Sequence, residues 1–168
     1  MTERKTITGE QALRRLSALC SKAEHSTGEI AAKLRAWQID DDTQQRIIDR
    51  LKKERYVDDE RFCRSFVHDK IQFDKWGRRK IEMALYKKGV GRDVYAPILD
   101  SIDDREYARA LRPMLEARRQ SIKARNDYEL DTKHIKYALS RGFGMNIIRM
   151  CLDAADDFDI EENDDRDI

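Results

Sequence analysis

The feature that most constrains this chain is a helical pattern that recurs. Laying Ile81, Leu85 and Val90 over Ile30, Leu34 and Ile39 gives an offset of 51 residues, and a weaker copy lies between Lys133 and Phe143. Self-similarity at such a period is the mark of a short array of supersecondary units. The middle copy, from Tyr56 to Val90, is the clearest. It reads as two capped helices in succession, one beginning after Asp58 with Asp59 and Glu60 in its opening turn, the other beginning after Gly77 and ending at Gly89.

Composition supports several small cores in series. In 168 residues, 40% are charged and 8% aromatic, too little apolar surface for one large core. Two prolines and seven glycines punctuate the chain, and no alternating run bounded by turn signals reads as a strand, so the class is all-α. No apolar run nears the roughly 18 residues that span a bilayer, and the N-terminus has no signal-peptide core. A soluble, cytoplasmic protein with no membrane partner is expected. Cys20, Cys63 and Cys151 are far apart and sit in helical apolar patterns, and His25, His68 and His134 are equally scattered, so they read as packing residues with no metal site. There is neither a glycine-rich phosphate loop nor a nucleophile elbow, so no cofactor or catalytic residue is assigned, and an enzyme is the least supported class.

Read in order, Thr8 to Gln11 is a capping box that opens a helix through Leu13, Leu16 and Cys20. Ser26 to Glu29 is a second box, opening a helix with Ile30, Lys33, Leu34 and Trp37 on one face. Asp40, Asp41 and Asp42 start a third helix, carrying Ile47, Ile48 and Leu51. The second unit adds a helix from about Arg92 to Ser101 that tolerates Pro97 near its start. The third opens at Asp103 to Glu106, another box, and is expected to kink or restart at Pro113. Asp131 is expected to cap the next helix, closed by Gly142-Phe143-Gly144, and a last helix runs from Met145 to Ala155. Here the pattern slips by one, since Leu139 lies three residues before Gly142 whereas Leu85 lies four before Gly89. The resulting units are residues 8–56, 57–102 and 103–155, followed by an acidic tail over 156–168 that reads as disordered. Leu34, Leu51, Phe62, Phe66, Ile81, Leu85, Leu99, Leu139 and Ile148 are expected to face inward.

The net charge of +1 conceals a division. Residues 153–168 carry nine acids and one Arg, a net −8, which leaves +9 on residues 1–152. A basic helical body suggests a polyanionic partner, and a terminal block of like charge is usually solvated.

Val57-Asp58-Asp59-Glu60-Arg61-Phe62, then Trp76-Gly77-Arg78-Arg79-Lys80-Ile81, then Leu85 and Lys88-Gly89-Val90, closely resembles the central signature of RecX regulatory proteins. Ser26 to Leu34 is similar to that family's first repeat and Leu139 to Phe143 to its third. The resemblance covers about residues 8 to 155. It implies three tandem three-helix repeats forming an elongated, curved array that binds the RecA recombinase filament on DNA, usually inhibits it, and is not an enzyme. The acidic run from Asp153 is not part of that family's pattern, so direct contact with single-stranded DNA is expected to be weak or indirect.

The residues themselves point the same way. On a helical wheel Ile81, Ala84 and Leu85 form one stripe, while Arg79, Met83, Tyr86 and Lys87 lie opposite. With Arg78, Lys80 and Lys88 they make a basic face bearing two apolar anchors, suited to phosphates or to a partner's carboxylates; packing of Met83 and Tyr86 on a neighbouring helix is the alternative. A second basic stretch, Arg109 to Arg125, sets six cations against Glu116 alone and contributes Arg118, Arg119, Lys123 and Arg125 as candidates. If it lined the same side as Arg79 and Lys87, the two would form one positive groove. Two other readings remain: a stand-alone helical nucleic-acid-binding module, and a protein-only helical-repeat adaptor. The lack of a long heptad pattern favours a monomer.

Overall fold

Helices in this chain begin where the sequence supplies an acceptor for their first amides. A computed structural model describes residues 6–152, and among them are nine helices and no strand. In order they are α1 (Gly9–Lys22), α2 (Thr27–Ala36), α3 (Asp41–Lys53), α4 (Asp59–Gln72), α5 (Arg78–Lys87), α6 (Arg92–Asp100), α7 (Asp104–Arg119) and α8 (Asp127–Ser140), with α9 over residues 145–152. The class is all-α and the helices follow in three groups of three. The acidic tail lies outside the described residues.

Both expected capping boxes of the first group are complete. Thr8 accepts from the Gln11 amide while Gln11 accepts from that of Thr8, and Ser26 and Glu29 do the same. Asp40 accepts from the Thr43 amide at 3.0 Å and Asp58 from the Arg61 amide at 3.0 Å. Such caps satisfy donors that have no partner inside the helix, each contributing about 1 kcal/mol.

Backbone proximity divides the chain into two compact units. Unit 1 comprises the residues up to Phe66 together with Ala84–Ile98; unit 2 comprises Val67–Met83 and the residues from Leu99 onward. The division passes through α4, α5 and α6, so it does not follow the helix triplets. In unit 1, α3 packs on α1 and α2, and Ala12, Leu16, Ile30, Leu34, Ile47, Ile48, Leu51 and Val57 share one buried cluster. Burying each large aliphatic side chain contributes about 1.5–3 kcal/mol, before the entropy of ordering it. In unit 2, α7 packs on α8, and Val67, Ile71, Ile81, Leu99, Leu111, Leu115, Phe143 and Ile148 are buried.

Five expectations need correction. Leu139 is 47% exposed; Ala138, four residues before Gly142 as Leu85 is before Gly89, takes the inward place. Counting from the closing glycine therefore restores the register, with His134 at the position of Ile81 and Phe143 at that of Val90. Second, α7 runs through Pro113 without restarting. The bond lost there is to the carbonyl of Arg109, and both residues are exposed, so water replaces it. Third, α8 starts at Asp127 rather than after Asp131, because Asn126 accepts from the Glu129 amide at 2.9 Å and Glu129 in turn accepts from the Arg125 amide. Fourth, Asp103 caps α7 through Arg105 at 2.8 Å and not through Glu106. Phe66, expected inside, is half-buried and stacks on Phe62 with centroids 5.6 Å apart.

Candidate partner-binding surfaces

The second helix of each group ends in the same way. Gln38, Gly89 and Gly142 all have left-handed backbones, with φ of 59°, 74° and 90°. The next residue returns a hydrogen bond to the last turn, from Ile39 to Leu34, Val90 to Leu85 and Phe143 to Ala138, each at 3.1 Å. This closure sets what the two glycines can do next.

In unit 1 the start of α2 meets the end of α5. A methyl group on Gly28 would fall on the Lys88 carbonyl and on the Cα of Gly89, so the backbones touch only because both residues lack side chains. Ser26 Oγ donates to the Lys88 carbonyl at 2.5 Å, the Thr27 amide donates to Asp59 Oδ1 at 2.7 Å, and Lys88 Nζ lies 3.8 Å from Glu29. In unit 2 the start of α5 meets the end of α8 in the same sense. A methyl on Gly77 would fall on Gly142 and Phe143. Gly77 donates to the Arg141 carbonyl at 2.8 Å and Arg79 to the Gly142 carbonyl at 3.1 Å, while the Arg141 guanidinium donates to the Asp74 carbonyl. At each junction a positive helix N-terminus faces a carbonyl-rich C-terminus, a favourable alignment of dipoles.

The basic candidates separate into committed and uncommitted groups. Arg78 is held between Glu82 at 2.9 Å and Asp100 at 2.6 Å, and the bond to Glu82, followed by that to Asp100, holds its pKa above the ordinary arginine value. Lys80 and Lys70 each place an ammonium 4.6 Å from the ring centre of Trp76. Lys88 serves the unit 1 junction and also lies 5.8 Å over Phe66. Arg118 stacks at 3.7 Å on Tyr137. By contrast Arg79, Lys87, Arg119, Lys123 and Arg125 are exposed, as are Met83 (57%) and Tyr86 (76%). Among the described residues no side-chain ion pair engages Arg79 or Lys87. The backbone around Lys123 and Arg125 is tied locally, with Lys133 donating to the Lys123 carbonyl at 2.5 Å.

Unit 2 also contains a cleft of about 530 Å³ that sequence reasoning missed. Its walls include Leu99, Ile102, Phe143 and Ile147, and its polar lining Arg78, Arg79, Glu82, Asp100, Asp104 and Tyr107. Tyr107 is only 4% exposed and its hydroxyl has no hydrogen-bond partner. Burial, the largest cause, pushes its pKa up to about 12, against the opposing pull of Arg78, so the phenol keeps its proton. Spacing could not have revealed the cleft, because its residues come from four helices. The three thiols are free: Cys63 and Cys151 are buried and Cys20 partly so, and burial pushes the Cys63 thiol up to about 11.

Among the described residues no group of His, Cys, Asp and Glu could hold a metal ion, and no helix is long and apolar enough to cross a membrane.

Comparison with known proteins bears on these surfaces. Residues 58–96 match the family model for RecX, second three-helix domain. A regulatory protein RecX of Clostridium botulinum (strain Eklund 17B / Type B) is 29% identical over 134 residues, 79% of this chain and 62% of that protein. One from Prosthecochloris aestuarii is 29% identical over 144 residues, 85% of this chain and 92% of that protein. The crystal structure of RecX from Lactobacillus salivarius shares the fold with a TM-score of 0.80 at 21% identity, covering 88% of this chain and 96% of that one. The chain spans between 48% and 62% of the length of the first curated relatives it matches. In its helix order, in its middle domain and in these relatives the chain is similar to RecX regulatory proteins.

Proposed function

We propose that this protein works in the cytoplasm as a monomeric, non-enzymatic regulator that binds a RecA-type recombinase filament on DNA and restrains its ATP hydrolysis and strand exchange. The three-helix groups over 8–56, 57–102 and 103–155 would then be repeats of one binding unit. The observation that carries the reading is the exposed side of α5, where Arg79, Met83, Tyr86 and Lys87 point to solvent instead of packing on a neighbouring helix. Apolar anchors among uncommitted cations suit a partner that presents carboxylates or phosphates, and such anchors carry a large share of binding energy. The exposed Arg119, Lys123 and Arg125 supply further charge.

The test is to add the protein to recombinase, single-stranded DNA and ATP, following hydrolysis and strand exchange. Loss of both at substoichiometric protein is expected, and affinity for nucleic acid without any such loss would favour a stand-alone binding module. Replacing Arg79 and Lys87 together by Glu should weaken filament binding while leaving thermal stability nearly unchanged, because exposed charges contribute only about 0–1 kcal/mol to folding. An unchanged filament affinity would remove α5 from the interface.

A further inference from the structure

The cleft of unit 2 is built for something other than a phosphate. Of its five charged lining residues three are carboxylates, Glu82, Asp100 and Asp104, and two are guanidiniums, Arg78 and Arg79. Arg78 is held between Glu82 and Asp100, which leaves one carboxylate charge in excess, and Asp104 offsets Arg79, so the lining carries a net charge of −1 that repels a phosphate. Asp104 makes one long contact, 3.4 Å from Asn146 Nδ2. The hydroxyl of Tyr107, buried and without a partner, belongs to a residue that lines the same cleft as Arg78, Glu82 and Asp104. Buried hydroxyls are normally paired, so this one marks a position where a ligand's polar group fits. The apolar part of the lining is Leu99, Ile102, Phe143 and Ile147, and Asn146 adds a side-chain amide. An acidic end, a neutral hydroxyl and an aliphatic wall together match a long basic side chain, whose stem needs apolar cover while its head needs carboxylates.

We propose that this cleft receives a lysine or arginine side chain from a partner protein, with the cation set against Asp100 and Asp104, a polar contact to the Tyr107 hydroxyl, and the stem lying along Ile102 and Phe143. The cleft shares only Arg79 with the outward side of α5, and the proposed contact uses Asp100, Asp104 and Tyr107 instead, so it stands or falls independently of the recombinase reading. Its ligand is protein, chosen by charge complementarity, and not nucleic acid.

An isotope-labelled amide titration of the full chain with the capped tripeptide acetyl-Ala-Arg-Ala-amide tests it, with acetyl-Ala-Glu-Ala-amide and inorganic phosphate as the other arms. Resonances of Asp104, Tyr107 and residues 143–147 should shift and saturate with the arginine peptide alone. Tyr107→Phe should weaken that affinity about twofold to tenfold, the range for one hydrogen bond, and Asp104→Asn should weaken it by a comparable factor. Since the hydroxyl has no partner in the folded chain, Tyr107→Phe should melt no lower than the parent protein, which keeps loss of binding distinct from loss of fold. Phosphate moving the same resonances, no shift with the arginine peptide, or equal affinity in parent and both variants would each overturn the proposal.

Discussion

The two glycine junctions perform the same task with different chemistry. In unit 1 a side chain makes the link, Ser26 Oγ to the Lys88 carbonyl, with Lys88 and Glu29 adding charge. In unit 2 the backbone makes it twice, from Gly77 and from Arg79, and Arg141 braces the approach against Asp74. What they share is the absence of a β-carbon on both sides of the contact. What differs is how much of the link a point substitution can remove: unit 1 can lose its serine, whereas the amides of unit 2 can be removed only by separating the backbones. Gln38 shows which property of glycine is being used. It adopts the same left-handed turn as Gly89 and Gly142 without being glycine, so the turn alone does not demand one. Close approach does.

The largest effect should therefore come from a side chain placed in either contact. Gly142→Ala and Gly142→Asn are expected to lower stability alike, by about 2–4 kcal/mol and roughly 5–15 °C in melting temperature. Asparagine tolerates a left-handed backbone far better than alanine, so a mild Gly142→Asn would show that conformation rather than contact selects the glycine. Gly28→Ala sharpens the point, because Gly28 lies inside α2 with no positive φ. Glycine to alanine in a helix ordinarily stabilises by about 1 kcal/mol. Here it should destabilise by about 2 kcal/mol or more, the methyl having nowhere to go but the Lys88 carbonyl. Ser26→Ala should cost less, about 1–2 kcal/mol, since it removes the N-cap acceptor and the bond to Lys88 together but creates no overlap. Chemical denaturation of the four variants under one condition ranks them.

The sequence showed the helices far better than it showed these contacts, and the reason is range. Capping boxes at Thr8 and Ser26 and the stop at Gly89 are written within four residues, so they are readable without neighbours. By residue type alone Asn126 and Asp131 are both acceptable caps, and only the reciprocal bond of Glu129 decides between them. Leu139 is the more apolar residue but Ala138 takes the inward place, because Gly142 and not hydrophobicity fixes the register. At Pro113 the local rule was outweighed by solvent, which satisfies the carbonyl that the missing amide leaves. The basic residues of α5 were recognisable as a group, but which were committed was not. Arg78 finds Asp100 twenty-two residues away and Lys88 finds Glu29 fifty-nine away. The Tyr107 cleft is more distant still in sequence, and nothing in the spacing hints that its hydroxyl would be left without a partner.

A second difference between the regions lies beneath the closing turns. α8 carries His134, buried, at the position where α5 carries Ile81. Burial, with help from Arg118 and Arg119, holds the imidazole pKa below its ordinary 6.5, while Asp131 pulls the other way. The folded state thus binds a proton less readily than the unfolded one. Stability from this group is complete above about pH 6.5 and falls as pH drops below it, by at most about 1.4 kcal/mol per pH unit until the folded pKa is reached. His134→Ile should flatten that part of the profile, and hydrogen exchange should show acid loosening α8 in the parent protein but not in the variant. Equal acid sensitivity in both would assign the effect to carboxylates elsewhere.

The smallest expected effect isolates the turn from the contact. Gln38 sits where Gly89 and Gly142 sit, but its position has no glycine partner and its side chain is exposed. A non-glycine residue in the left-handed region carries about 1 kcal/mol of strain. Glycine would relieve that strain, while its greater freedom in the unfolded chain would take back about 0.4–1 kcal/mol. The two terms nearly cancel, so Gln38→Gly should change stability by no more than about 0.5 kcal/mol in either direction. If conformation were the reason for the glycines at 89 and 142, Gln38→Gly would bring a clear gain and Gly142→Asn only a slight loss. If backbone contact is the reason, Gln38→Gly is nearly silent and Gly142→Asn is severe, and the pair of melting curves separates the two explanations without reference to any partner.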